Sequence, residues 1–105
     1  MTAAEIFSQL FSNRWPSPEE LVKFAKTRHG YCGDDGYYGV TYPSDLDEYQ
    51  KQVEGAFIPD GYIEVMYWDG DFKDIQVMEG EYLKALREHL LSLDRQSLLR
   101  ELEGA

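Results

Sequence analysis

Two strand-like runs, Tyr62 to Trp68 and Phe72 to Met78, flank Asp69-Gly70-Asp71, and their spacing constrains the fold more tightly than any other feature of the chain. Side chains alternate between the faces of a strand, and residues directly opposed in an antiparallel pair share a face. A two-residue loop would oppose Val65 to Asp74 and Ile63 to Gln76, mixing core and solvent on both faces. A three-residue loop, Asp69 to Asp71, opposes Ile63 to Val77 and Val65 to Ile75, giving one clean aliphatic face at the cost of a bulged turn. The spacing therefore predicts the longer loop. The other face then carries Tyr62, Glu64, Met66, Trp68, Phe72, Asp74, Gln76 and Met78, a mixture that is neither plainly core nor plainly solvent.

Helical signals lie on either side. Thr2 followed by Glu5 reads as a capping box, opening a helix with Ile6, Phe7, Leu10 and Phe11 on one face and ending at Asn13 and Arg14. Ser17, Pro18 and Glu20 start a second helix, which runs to about Arg28 and closes with Gly30 in the left-handed conformation. Trp15, extended before Pro16, is expected to fold onto the core. Tyr31 to Gly36 reads as a loop and Tyr37 to Tyr42 as a strand. Ser44 is the expected cap of a short third helix, with Leu46, Tyr49 and Val53 on one face and Gly55 at its end. Leu83, Leu86, Leu90 and Leu93 give the strongest helical period in the chain and should pack on the aliphatic face of the hairpin. Asp94 precedes a segment in which Leu98, Leu99 and Leu102 fall in another phase, so a break and a kink both fit, with Asp94 as the expected cap if the helix breaks. The prediction is one α+β domain over residues 1–105. An antiparallel sheet of three or more strands, with a central hairpin, packs against N- and C-terminal helices.

Charge narrows the function. The 105 residues hold 10 Lys and Arg against 20 Asp and Glu, a net charge of −10. Divided after Gly30 and before Tyr82, the segments carry +1, −11 and 0, so the whole surplus lies in the middle. Such a field repels phosphate backbones and anionic lipid, so neither nucleic acid nor a membrane is an expected partner. No run approaches 18 consecutive apolar residues, and the N-terminus has no signal-like pattern. With Cys32 as the lone cysteine, no internal disulfide is possible, and a cytoplasmic protein is expected.

Seven of the eight tyrosines, and Trp68, are interleaved with the central acids. Solubility is one explanation of that clustering. The sharper one is a docking surface for a basic protein, with carboxylates speeding encounter and rings serving as anchors. The expected anchors are Tyr38, Tyr62, Trp68 and Phe72, and the expected steering or pairing groups are Asp34, Asp35, Glu64, Asp69, Asp71 and Asp74. The function expected is non-catalytic, the inhibition or regulation of a basic partner. Toxin-immunity proteins and nuclease inhibitors are of this general kind, a comparison of size, acidity and aromatic content that no motif carries.

Other classes make different demands. A DNA-mimic inhibitor needs carboxylates in rows at phosphate-like spacing, and a homodimer or larger homo-oligomer would join through the mixed hairpin face or the Leu98, Leu99 and Leu102 segment. A small enzyme would use Cys32 with His29, although His29 is better explained by the helix end it follows. No metal site is expected. One Cys and two His do not make a zinc set, and Asp69-Gly70-Asp71 with Asp74 lacks the ligand spacing of a calcium loop. No glycine-rich phosphate loop or other cofactor motif is present.

Overall fold

The computed structural model describes residues 2–33 and 37–104. The hairpin has the longer loop. Strands β3 (Tyr62–Trp68) and β4 (Phe72–Met78) pair with Ile63 opposite Val77 and Val65 opposite Ile75. Ile63, Val65 and Val77 are buried together, so the aliphatic face is the core face. Strand β2 (Tyr38–Thr41) joins the other side of β3, opposing Val40 to Val65.

A further strand, β1 (Tyr31–Gly33), pairs with β2 where the sequence reads as a loop. Three residues are too few to display a two-residue period, and Gly33 resembles a turn residue. Gly33 instead makes room for a ring: a Cβ there would lie 2.4 Å from the Tyr38 side chain. The result is an antiparallel sheet in the order β1-β2-β3-β4. Asp34, Asp35 and Gly36 lie outside the described residues.

Four helices contribute to the same core as the aliphatic sheet face. Helix α1 (Ala3–Phe11) buries Ile6, Phe7, Leu10 and Phe11, and α2 (Pro18–Thr27) buries Leu21, Val22 and Ala25. Both start with the expected capping boxes, Thr2 with Glu5 and Ser17 with Glu20. Helix α4 (Glu79–Ser92) buries Tyr82, Leu86 and Leu90, and α5 (Gln96–Glu103) buries Leu98 and Leu102. Tyr31, Tyr38, Val40 and Tyr42 complete that cluster from the sheet side. Trp15 is only partly covered: its indole meets Phe24 and Tyr31 edge-on and donates to Glu20 at 3.0 Å, but 41% of the residue is exposed.

The element ends depart from expectation in two places. Arg28, with φ of 50°, closes α2 in place of Gly30, and the His29 N–H reaches the Phe24 carbonyl at 3.0 Å. Gly30 is needed for close approach instead, because a Cβ there would fall 2.3 Å from the Val40 carbonyl oxygen. After α4 the chain breaks at Asp94, which does not cap α5 but is the left-handed closing residue of α4, with φ of 56°. The N–H groups of Asp94 and Arg95 bond back to the Leu91 and Leu90 carbonyls, the paired bonds of a Schellman ending. Leu93 is consequently exposed, and the buried stripe ends at Leu90.

The third helix also differs. Pro43–Asp45 forms a 3-10 turn, and helix α3 (Glu48–Gln52) starts from Asp47 rather than Ser44. The Asp45 carboxylate explains the shift, since one oxygen accepts from the N–H groups of Gly30 at 2.9 Å and Tyr42 at 2.7 Å. Tyr49 and Val53 are exposed, so their spacing does not mark a core face.

Candidate interaction surface

Alternation along the strands decides what the other sheet face presents. Four cross-strand rows follow from the register. One end of the face holds Trp68 opposite Phe72; next come Cys32, Gly39, Met66 and Asp74; then Thr41, Glu64 and Gln76; and last Tyr62 opposite Met78. Trp68, Phe72, Asp74, Gln76, Tyr62 and Met78 are all exposed, which settles the mixed face as a solvent-facing one. The segment before β3 reaches it where the Gln76 side-chain amide donates to the Phe57 carbonyl at 2.7 Å.

The first row is an aromatic cluster. Trp68 and Phe72 meet edge-on with centroids 5.0 Å apart. Tyr37 completes it, 4.9 Å from Trp68 and 5.0 Å from Phe72. Carrying the β2–β3 register back beyond Gly39 places Tyr37 beside Trp68, so the three rings form one row across the sheet. Tyr37 is 40% exposed, Trp68 37% and Phe72 56%.

Tyr38 is one of the expected anchors and Tyr37 is not. The structure exposes Tyr37 and buries Tyr38. Tyr38 is 7% exposed on the core face, and its hydroxyl donates to the Trp15 carbonyl at 2.6 Å. The signal is parity: with Val40 facing the core opposite Val65, position 38 must face inward and position 37 outward. Tyr62 is exposed, but at the far end of the face beside Met78, away from the ring cluster.

Helix α1 fixes the end of the sheet under these rings. The Gln9 side-chain amide accepts from the Trp68 N–H at 3.1 Å and donates to the Trp68 carbonyl at 2.9 Å. Both polar groups of that residue are satisfied as a neighbouring strand would satisfy them. Nothing in the sequence marks Gln9 for this task.

The acids divide by position. Asp69 and Asp71 lie in the hairpin turn; Asp69 stands 3.8 Å from the Lys73 ammonium, and Asp71 accepts from the Phe72 N–H at 2.8 Å. Asp74 is two residues beyond Phe72 on the outer face, and Glu64 lies half-buried one row further along. Asp34 and Asp35, the remaining expected steering groups, lie outside the described residues. Of the central tyrosines, Tyr31 and Tyr42 turn inward, and burial pushes both phenols above their ordinary pKa. The rings thus split between core and outer face.

His29 Nδ1 stands 3.3 Å from an Asp45 oxygen, while Cys32 is exposed on β1. A groove of about 650 Å³ between α1 and α4, lined in part by Phe7, Phe11, Ala85 and His89, contains none of the expected site residues. Burial holds the His89 imidazole below its ordinary pKa as it stacks on Phe11. Among the described residues, no three His, Cys, Asp or Glu side chains gather as metal ligands, and no helix is long and apolar enough to cross a membrane.

The chain matches no family model, curated protein or solved structure.

Proposed function

We propose that the protein is a non-catalytic module that docks a basic protein partner on its outer sheet face and so inhibits or regulates it. The observation that carries this reading is the exposed row Tyr37, Trp68 and Phe72 with carboxylates beside it, on a sheet face that the core does not use. Rings held at a surface supply anchors of low entropy cost, and surrounding anions raise the rate of encounter with a cationic partner. Docking would occlude the partner's surface sterically and electrostatically. The lone cysteine makes the cytosol the proposed compartment.

The test compares capture on immobilised wild-type protein, Phe72→Ala and a triple reversal of Asp69, Asp71 and Asp74 to Lys. A basic protein should be retained at low salt by the wild type, elute as salt rises, and be lost on both variants. The triple reversal should slow association with the recovered partner by roughly tenfold or more at low salt. Identical captured sets on all three proteins would overturn the proposal. So would a wild-type dimer in sedimentation that Phe72→Ala converts to monomer, because the rings would then serve self-association.

A further inference from the structure

We infer that the Tyr37, Trp68 and Phe72 row reads arginine: it takes a partner's guanidinium group stacked flat on its outward ring surfaces, with the N–H edges turned to neighbouring carboxylates. This rests on the outer face being the docking surface and names the chemistry it selects. Ring spacing makes the first distinction. A cation held between two ring faces stands up to about 6 Å from each centroid, so rings that enclose one must be spread apart. Here all three centroid separations are between 4.9 and 5.0 Å, and the planes are inclined at 51°, 51° and 80°. The rings fill the space between themselves. Only their outward surfaces are open, and a planar cation fits those better than a round one.

Charge makes the second distinction. Along β4, Phe72 has Asp71 on its turn side and Asp74 two residues onward on its own face. A guanidinium lying on the ring keeps its fork of donors in its own plane, parallel to the ring and free to reach carboxylates at the margin, whereas a lysine ammonium is compact and strongly hydrated. The lysine adjacent to Phe72 in sequence does not compete for the place: Lys73 alternates to the other face of β4 and stands near Asp69. The protein itself holds one guanidinium between a ring and a carboxylate. Arg28 lies over the Tyr42 ring, 5.8 Å from its centroid, while its Nε donates to Glu79 at 3.1 Å.

The experiment titrates the full chain with hexa-arginine, hexalysine and hexa(trimethyl-lysine) peptides at low salt, following the Phe72 amide and Trp68 indole by NMR. Hexa-arginine should bind about two- to fivefold more tightly than hexalysine, the ratio expected of one exposed cation–π contact. Phe72→Leu should bring that ratio close to one, Phe72→Tyr should restore it, and Asp74→Asn should weaken both peptides together. Equal affinity for arginine and lysine peptides would overturn the arginine assignment while leaving the basic-partner reading standing. Tightest binding of the trimethyl-lysine peptide would overturn it as well, because the rings would have to open around the ligand. Failure of all three peptides to bind would overturn both readings.

Discussion

Two residues close helices in a conformation that favours glycine. Asp94 ends α4 with φ of 56°, and Arg28 ends α2 with φ of 50°. Asp94→Gly should raise stability by about 1 kcal/mol, seen as a higher urea midpoint, because it relieves the left-handed strain and removes an anion from a negative helix end. Arg28→Gly should gain less, since it also gives up the contacts to Glu79 and Tyr42. Gly70 lies in the opposite situation, with φ of 74° in the hairpin turn. Gly70→Ala should lower stability by about 1 kcal/mol in the same assay. At this scale the sequence displays residue types but not their backbone conformation. Gly30 looks like a helix-closing glycine and is a close-approach glycine, and the adjacent Tyr37 and Tyr38 look alike although only the first reaches solvent.

Among the elements, those that announce themselves repeat a period long enough to count. The two seven-residue strands of the hairpin show their alternation, and opposing them fixes both the loop length and the outer-face residues. The leucines of α4 do the same as far as Leu90. Strand β1 is too short for this, and it exists because β2 offers it a ladder. Helix α3 slips from its expected start because the Asp45 carboxylate binds the nearby Tyr42 N–H and the distant Gly30 N–H, the second a tertiary demand that local spacing does not contain. Gln9 is a similar case, and it yields a prediction for α1 and β3. Gln9→Leu removes both bonds to the Trp68 backbone and should destabilise the protein by about 1–3 kcal/mol. Hydrogen exchange at the Trp68 amide should quicken more than at Val65, and equal changes at both would show that the bond does not hold the strand end locally.

At the scale of the molecule, the buried phenols set an alkaline limit. Burial raises the pKa of Tyr31, Tyr42 and Tyr82, whereas in the unfolded chain all three titrate near 10. A folded pKa above the unfolded one gives stability that is complete below the unfolded value and declines as pH rises past it. Urea midpoints should therefore hold up to about pH 9 and fall above about pH 10. Absorbance at 295 nm should show these phenols ionising only as the protein unfolds. The net charge of −10 adds self-repulsion, so moderate salt should raise the midpoint at neutral pH. The sequence makes the surplus charge plain but not which rings share its surface, because that depends on how β2 registers with β3.

The four core-building helices and the aliphatic sheet face share one cluster, leaving the reverse of the β-layer outside it. Under the proposed docking role, stability and recognition fall to separate sets of side chains. The exposed positions on that reverse side could be randomised in a display library with little risk to folding, making the chain a small scaffold onto which a chosen specificity could be selected.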